Sequence, residues 1–440
     1  MNYEQCLSYL EQVQDLGIKF GLDNVQIILK SLGSPQHSYP AVQIAGTNGK
    51  GSVCAMLTRI LTLNGHRAGL YTSPHLILPE ERIRIGEKLI SKADFALCLT
   101  QLKEVIDSLI AEKKLINPPT YFETMTCLAY LYFKVQKVDI AVLEVGMGGR
   151  FDATNIVIPV VSVITTISPE HQKFLGDTLE RIAFEKAGII KPGVPVVCGV
   201  EAEGAFNVFR SRAEELGSDF YPVFSPNSFF FNKKNDLYTF EYKTDEGTYF
   251  YTPSLSGLHQ GVNAATAIKA AEIIGRSWKK LDKETIIMGI ESTRWEGRIE
   301  VISKDPLVVL DGAHNEEGAH ALREYAAAFL PKPITLIYAA MRDKNIKKIA
   351  DILFPVADRI FLTKFPFHKA SAPKDMKVLI SQCFHPRIIL EPDPFFAIER
   401  AFKQEQSIHS NEGSVLIAGS LFLIGEAKKY FKKRIREGLS

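Results

Sequence analysis

One stretch of sequence decides the fold: QIAGTNGKGS at Gln43–Ser52. It follows the apolar run of residues 41–45 and opens a helical pattern that extends to about Asn64. Glycines between a strand and a helix let backbone N–H groups reach phosphate oxygens, and the helix N-terminus adds favourable partial charge. We therefore predict a phosphate-binding loop in which Lys50 contacts the β- and γ-phosphates of a nucleotide and Ser52 offers its hydroxyl to Mg²⁺.

This loop departs from the strict phosphate-loop pattern G-x-x-x-x-G-K-[ST]. Ile44 stands where the first glycine is expected, and Gly51 separates Lys50 from Ser52. A lysine between two glycines at the start of a helix still favours a phosphate-binding loop over an ordinary strand-to-helix turn.

Short apolar runs alternate with helical patterns on both sides of this loop. Continuous apolar strands separated by helices indicate a parallel sheet covered on both faces, so we predict an α/β fold. The predicted strands are residues 41–45, 68–71, 139–145, 160–166, 194–198, 307–310, 334–338, 359–363, 387–390 and 415–418. Aromatic-rich alternation over residues 219–252, with turn signals at 226–227, 233–235 and 245–247, indicates a small antiparallel sheet or sheet extension.

The length of 440 residues exceeds what one hydrophobic core usually supports, so we predict two domains. The strand–helix alternation restarts near Arg294–Arg298. We place the boundary there, with a first domain of residues 1–295 and a second of residues 296–440.

Composition excludes several classes of protein. A formal net charge of +2 provides no broad basic field for nucleic acid or anionic lipid. The six cysteines are scattered without a C-x-x-C pair, which is typical of reduced thiols rather than of a disulfide framework or a zinc site. The sequence has no export signal at its N-terminus and no apolar run of about 20 residues, so we expect a cytoplasmic protein outside the membrane.

Three polar residues close or follow predicted strands: Ser73, Glu144 and His171. Carboxyl ends of parallel strands meet at the edge where open α/β sheets bind ligands. Magnesium prefers oxygen ligands, and histidine, whose pKa lies near neutrality, is a ready metal ligand. We predict that these residues, with Ser52, bind magnesium, although each taken alone is compatible with an ordinary structural role.

Four segments together resemble the folylpolyglutamate synthase/dihydrofolate synthase family of the Mur ligase superfamily. They are GTNGKGS at 46–52, TSPHL at 72–76, EVGMGGRFDATN at 144–155 and LDGAHN at 310–315. The resemblance covers nearly the whole chain. It implies an N-terminal P-loop NTPase-like domain that binds ATP and a pterin, and a C-terminal Rossmann-like α/β ligase domain. The implied reaction is ATP-dependent addition of L-glutamate to dihydropteroate, or to the γ-carboxylate of folates, through an acyl phosphate.

The resemblance also implies roles for individual residues. ATP would be bound by Asn48, Gly49, Lys50, Gly51, Ser52, Asn263, Arg298 and Asp311, and magnesium by Ser52, Ser73, Glu144 and His171. Lys50, Lys186 and His314 match catalytic positions, and Lys186 corresponds to the lysine that carries a carbamate in this family. Beyond ATP and Mg²⁺, a second Mg²⁺, K⁺ and carbamylation of Lys186 stay open.

The substrate positions implied by the resemblance are Tyr121, Phe122, Glu123, Phe151, Asp152 and Ala153. Aromatic rings can stack on a flat heterocycle, and Asp152 can accept hydrogen bonds from ring nitrogens. His314 and Ser420 would orient the incoming glutamate. The expected partners are small-molecule substrates, and we expect a monomer.

The chain departs from the family pattern in two places. Glu170 precedes His171 where the family has aspartate, and Glu296 replaces the proline before Gly297 and Arg298. Two other functions stay open: a UDP-sugar amino-acid ligase of the muramyl-peptide type, and a nucleotide switch without ligase activity. Assay with each acceptor distinguishes a folate ligase from the UDP-sugar ligase, and glutamate-dependent release of ADP distinguishes a ligase from a switch.

Overall fold

The computed structural model describes residues 1–14, 17, 21–234, 237–407 and 413–437. The helices α1 to α15 are, in chain order, Tyr3–Gln14, Asp23–Ser31, Lys50–Leu63, Lys92–Ala111, Tyr121–Val135, Gln172–Leu175, Leu179–Ala187, Glu203–Glu215, Leu258–Ser277, Lys283–Ser292, Glu316–Phe329, Ile346–Leu353, Pro373–Leu379, Pro394–Ser407 and Leu421–Arg436. The strands β1 to β17 are Ala41–Ala45, Ala68–Tyr71, Ile83–Ile85, Lys88–Leu89, Ile140–Glu144, Val161–Ile164, Val196–Cys198, Phe220–Pro222, Phe229–Lys234, Leu237–Thr244, Gly247–Tyr251, Glu300–Lys304, Leu307–Asp311, Ile334–Tyr338, Arg359–Leu362, Ile388–Leu390 and Ser414–Ala418.

The chain forms two compact units. The first comprises Met1–Asn232, Thr239–Pro253 and Gly261–Thr293. The second comprises Lys233–Tyr238, Ser254–Gln260 and Arg294–Ser440.

An eight-stranded sheet organises the first unit, in the order β4-β3-β2-β5-β1-β6-β7-β8. Strand β1 lies between β5 and β6 and runs parallel to both, with Ile44 opposite Glu144 and Val163. Every residue of β1, β2, β5 and β6 is buried, which explains why these strands read as continuous apolar runs. One hydrophobic cluster packs α1, α2, α4 and α5, and another packs α7 and α8. The predicted parallel sheet is confirmed.

The edges of this sheet differ from the prediction. Strands β3 and β4 add an antiparallel edge beyond β2 that the sequence pattern did not indicate. Strand β8 lies in the region predicted to be antiparallel, yet it pairs in parallel with β7, with Phe220 opposite Val196. Alternation along a strand reports the environment of its two faces and not the direction of its neighbour, so it cannot distinguish these pairings.

A separate three-stranded sheet, β11-β10-β9, follows β8 along the chain. Strands β10 and β11 are antiparallel, with Thr244 opposite Gly247, so the predicted turn at 245–247 is confirmed. The predicted turn at 233–235 includes Asn235, which lies outside the described residues.

The second unit is built on a six-stranded sheet, β12-β13-β17-β14-β15-β16. Strand β12 is antiparallel to β13, and the other neighbours are parallel. Asp311 and Ala418 pair at the carboxyl ends of β13 and β17, so the loops that follow both strands begin side by side. The predicted Rossmann-like architecture is confirmed. Among the described residues, no helix combines the length and apolar character needed to cross a lipid bilayer.

Candidate active site

The predicted phosphate-binding loop connects β1 to α3. Gly46 and Gly49 have φ angles of 149° and 84°, a region that side chains other than glycine rarely adopt. A Cβ atom on Gly46 would collide with Thr165 Oγ1, and one on Gly49 would collide with Asn263 Oδ1. Both positions therefore require glycine, because of the nearby side chains as well as the backbone conformation.

The end of β6 holds this loop in shape. Thr47 N donates to Thr166 O at 2.7 Å, and Thr165 Oγ1 donates to Asn48 O at 2.6 Å. Ser168 N donates to Thr47 Oγ1 at 3.1 Å. These bonds tie residues 47 and 48 of the loop to the segment 165–168 that follows β6.

Two lysine amines meet at one carbonyl oxygen of the loop. Lys50 Nζ lies 3.1 Å from Gly46 O and also donates to Thr47 O at 2.9 Å, while Lys186 Nζ of α7 lies 2.6 Å from Gly46 O. Burial of Lys186, together with the nearby charge of Lys50, lowers the pKa of Lys186 to about 7. Glu170 and Asp152 act in the opposite direction on that pKa. Two amines at the start of a helix form a site suited to an anion.

Two of the predicted metal ligands are in contact. Glu144 ends β5, is 5% exposed, and accepts a hydrogen bond from Ser73 N at 2.9 Å through Oε2. Ser52 is buried in the first turn of α3, the helix that follows β1, and β1 is the neighbour of β5 in the sheet. The hydroxyl and carboxylate oxygens of these three residues are the donor type that magnesium prefers.

His171 has a different setting from the other predicted ligands. It is exposed and precedes α6 with a φ of 52°. Among the described residues, no three histidine, cysteine, aspartate or glutamate side chains are gathered as a metal-binding group.

The loop that carries Ser73 is held by Glu81 and Arg82, which sequence reasoning missed. The Glu81 carboxylate accepts hydrogen bonds from the N–H groups of residues 76–78, at 2.7 to 3.0 Å. Arg82 Nε donates to His75 Nδ1 at 2.9 Å, and its guanidinium lies 5.0 Å from the centre of the Tyr121 ring. Burial and the Arg82 charge lower the pKa of His75 to about 3. The run of charged residues at 80–82, three residues beyond the TSPHL segment, was the available signal.

The predicted substrate segment at residues 121–123 forms the first turn of α5. Phe122 packs on Gly146, where a Cβ atom would lie 2.5 Å from Phe122 Cζ. Glu123 is buried and forms a capping box with Thr120: its Oε2 accepts Thr120 N at 2.7 Å, and Glu123 N donates to Thr120 Oγ1 at 3.3 Å. The Glu123 carboxylate therefore stabilises the start of the helix.

The glycine-rich segment after β5 is folded around Asp152. The buried carboxylate accepts Met147 N at 2.9 Å, Thr154 N at 3.0 Å and Thr154 Oγ1 at 2.7 Å. Burial raises the pKa of Asp152 above its ordinary value, although these hydrogen bonds oppose the shift. Ala153 is buried in the core, whereas Phe151 is 42% exposed with the Arg150 guanidinium 4.4 Å from its ring centre. Of the predicted substrate residues in this segment, Phe151 offers an accessible aromatic face.

In the second unit, the loop after β13 brings Arg298, Asp311 and His314 together. Asp311 is buried, and its two oxygens accept Ile299 N at 2.9 Å and Ala313 N at 2.8 Å. Burial raises the pKa of Asp311, and the Arg298 charge opposes the shift. A Cβ atom on Gly312 would lie 2.5 Å from Arg298 Nη1, and His314 Nδ1 lies 2.8 Å from Gly312 O.

Ser420 lies at the carboxyl end of β17, where it caps α15. It is 4% exposed, and its hydroxyl accepts Phe422 N at 3.2 Å. The side chain therefore stabilises the helix start directly after the strand that neighbours β13.

Comparison with known proteins gives two family matches that follow one another along the chain. Residues 44–271 match the model of the Mur ligase middle domain. Residues 298–430 match the model of the dihydrofolate synthetase C-terminal domain.

Relatives and solved structures agree with these matches. The Bacillus subtilis dihydrofolate synthase/folylpolyglutamate synthase is 35% identical over 98% of this chain and 99% of its own length. The Mycobacterium tuberculosis folylpolyglutamate synthase complexed with ADP and AMPPCP superposes with a TM-score of 0.90 at 29% identity, covering 98% of this chain and 99% of that one. The E. coli FolC complex with DHPP and ADP gives a TM-score of 0.86 at 26% identity, covering 99% of both chains. The chain thus belongs to the folylpolyglutamate synthase/dihydrofolate synthase family of Mur ligases, which are ATP-dependent ligases.

Proposed function

We propose that this protein transfers the γ-phosphoryl group of ATP to a carboxylate of dihydropteroate or a folate, and then joins the acyl phosphate to L-glutamate. ADP and phosphate are released. The observation that carries this proposal is the meeting of the Lys50 and Lys186 amines at Gly46 O, at the glycine-rich start of α3. That arrangement suits a nucleoside triphosphate, and the ligase reaction is inferred from the family to which the chain belongs.

Lys50 is proposed to neutralise charge on the transferred phosphoryl group. The Lys50 ammonium donates to the carbonyl oxygens of two loop residues. The oxygens of a triphosphate would compete with these carbonyls for the ammonium, because their charge makes the hydrogen bond stronger. Asn48, Gly49, Gly51 and Ser52 would supply backbone and hydroxyl donors around the phosphates. Positioning and charge stabilisation account for most catalysis of phosphoryl transfer, so no nucleophilic side chain is required.

Ser52, Ser73 and Glu144 are the residues proposed to hold magnesium, with His171 as a further candidate. When bound, magnesium neutralises charge that develops on the phosphates. The Glu144–Ser73 hydrogen bond keeps the carboxylate turned toward the Ser73 loop in this arrangement.

Lys186 is proposed to be the carbamylated lysine of this family. Carbamylation requires a neutral amine, and a pKa near 7 leaves a large neutral fraction under physiological conditions. The modification would convert a buried cation beside Lys50 into an anion and so remove the repulsion between the two amines.

Tyr121, Phe122 and Phe151 are proposed to bind the pterin ring. Phe151 is exposed and available for stacking, whereas Asp152 and Glu123 would act mainly by shaping the two segments that flank the ring. The structural relative bound to DHPP and ADP supports a folate-type acceptor over a UDP-sugar.

Arg298, Asp311 and Asn263 are proposed to complete nucleotide binding, and His314 and Ser420 to orient glutamate. In this assignment residues 1–295 bind ATP and pterin, and residues 296–440 supply the ligase domain. We also propose that the protein is a monomer and that it is cytoplasmic. All six cysteines are free, which is typical of proteins in that compartment.

The test is release of ADP with dihydropteroate and with tetrahydrofolate, each with and without L-glutamate. The proposal expects release that requires one of these acceptors and glutamate together. Release with a UDP-sugar acceptor, and with neither dihydropteroate nor tetrahydrofolate, would favour a muramyl-peptide ligase. Nucleotide binding without glutamate-dependent release would favour a nucleotide switch.

A further inference from the structure

Arg298 lies between two carboxylates in sequence, Glu296 and Glu300, and one lysine binds both of them. Lys428 Nζ of α15 is 3.1 Å from Glu296 Oε2 and 2.7 Å from Glu300 Oε1. The Lys428 side chain is 5% exposed, against 51% for Glu296 and 25% for Glu300. A buried ammonium therefore holds the acidic residues two positions before and two positions after the arginine.

The same contacts continue into the turn that carries Arg298. The second oxygen of Glu300 accepts Gly297 N at 2.7 Å, and Gly297 has a φ of 71°. Gly297 O in turn accepts Gly312 N at 2.9 Å and Arg298 Nη1 at 3.2 Å. A continuous series of polar contacts thus leads from Lys428 through Glu300 and Gly297 to the guanidinium.

We propose that Lys428 is a positioning residue that keeps Arg298 available for phosphate. This inference rests on the proposed role of Arg298 in nucleotide binding. Carboxylates form strong charge-assisted hydrogen bonds with guanidinium groups, so Glu296 and Glu300 would compete with phosphate if their charges were unpaired. Lys428 pairs both charges and fixes the turn at the same time.

This role also accounts for an acidic residue beside a phosphate-binding arginine. Glu296 stands where the family pattern has proline, a residue that restricts the backbone without adding charge. In this chain the ion pair with Lys428 restrains the same position and offsets the added charge. Loss of Lys428 would leave the two carboxylates without this cation and free to turn toward Arg298.

The first experiment compares Lys428→Met with the wild type at varied ATP. We expect the KM for ATP to rise about tenfold, equivalent to about 1.4 kcal/mol, with a smaller change in kcat at saturating ATP. Adding Glu296→Gln to Lys428→Met should restore most of the affinity, because it removes a competing charge. A purely structural role for Lys428 predicts no such rescue.

Lys429→Met is the matched control. Lys429 is the next residue of α15, its side chain is 45% exposed, and its ammonium lies 2.7 Å from Glu426 Oε1. Its removal should leave the KM for ATP unchanged. Lys428→Gln keeps a hydrogen-bonding side chain without the charge, so it should fold even where the methionine variant does not and should show the same loss of affinity.

Arg298→Ala distinguishes failure of the positioning role from failure of the proposed role of Arg298. If Arg298→Ala raises the KM for ATP but Lys428→Met and Lys428→Gln behave like the wild type, the positioning role is wrong and the proposed function stands. Failure of Glu296→Gln to rescue would also overturn the positioning role. If Arg298→Ala itself binds ATP normally, the proposed role of Arg298 is wrong, and the role of Lys428 falls with it.

Discussion

The side-chain amide of Asn263 occupies the space that a side chain on Gly49 would need. A Cβ atom on Gly49 would collide with Asn263 Oδ1, and the backbone there has a φ of 84°. The phosphate-binding loop and helix α9 therefore meet at this glycine, far apart in sequence but adjacent in the first unit. The contact explains why a glycine is needed immediately before Lys50.

Gly49→Ala should weaken ATP binding, because Asn263 or the loop must move. We expect the KM for ATP to rise at least about tenfold, and steady-state ADP release measures it. Gly65→Ala is the matched control: its φ is 81°, and no atom lies within 4 Å of the added Cβ. Both variants carry similar backbone strain, of about 1 kcal/mol, so backbone strain alone does not account for a difference between them. Equal ATP affinities in the two variants would show that the Asn263 contact has no functional role.

Lys50→Ala should lower kcat at least about a hundredfold, the scale expected for loss of one preorganised charge stabiliser. The measurement is glutamate-dependent ADP release at saturating ATP. Lys88→Ala, at an exposed residue of β4, controls for removal of a positive charge. Near-normal turnover of the Lys50 variant would exclude a direct role in phosphoryl transfer.

Glu144→Gln should raise the magnesium concentration needed for half-maximal activity by at least about tenfold. The amide oxygen can still accept the hydrogen bond from Ser73 N, so the loop should keep its position while the charge is lost. Titration of activity with MgCl₂ gives the result. Glu87→Gln provides the control, since the Glu87 side chain is 63% exposed. An unchanged magnesium requirement would place the metal elsewhere.

Lys186 should make folding stability depend on pH in the alkaline range. The pKa of Lys186 is about 7 in the folded protein, against the ordinary lysine value of 10.5 that applies to the unfolded chain. Between these two pH values the unfolded chain therefore binds more protons than the folded protein. Stability contributed at this site therefore rises with pH from about 7 to 10.5, by up to about 1.4 kcal/mol per pH unit. Below pH 7 both states are protonated and the contribution is constant.

Urea unfolding at several pH values, in buffers stripped of carbon dioxide, tests this prediction. The difference in free energy of unfolding between wild type and Lys186→Met should grow in favour of the wild type as the pH rises from 7 to 10. A difference that stays constant over this range would mean that the amine is not neutral in the folded protein.

The sequence predicted best those features that depend on short runs of adjacent residues. Strands β1, β2 and β14 have the predicted bounds, because buried parallel strands are uninterrupted apolar runs. Gly46 and Gly49 could be recognised because a loop between a strand and a helix needs positive φ angles to bring its N–H groups together. Glu123 shows the limit of this reasoning: the resemblance implied a substrate position, and only the structure shows that its carboxylate caps α5.

By itself, the amino-acid sequence determined the α/β class, the strand–loop–helix around Lys50 and the family, because each depends on residues that are close together in the chain. Only the tertiary structure decided which distant groups meet: Lys186 with Gly46, Asn263 with Gly49, and Lys428 with Glu296 and Glu300. The physical reason is that burial and charge pairing depend on distance in space. The same pattern of apolar and polar residues along the chain is compatible with many different contacts between distant residues. The packing of the sheets and helices selects among them.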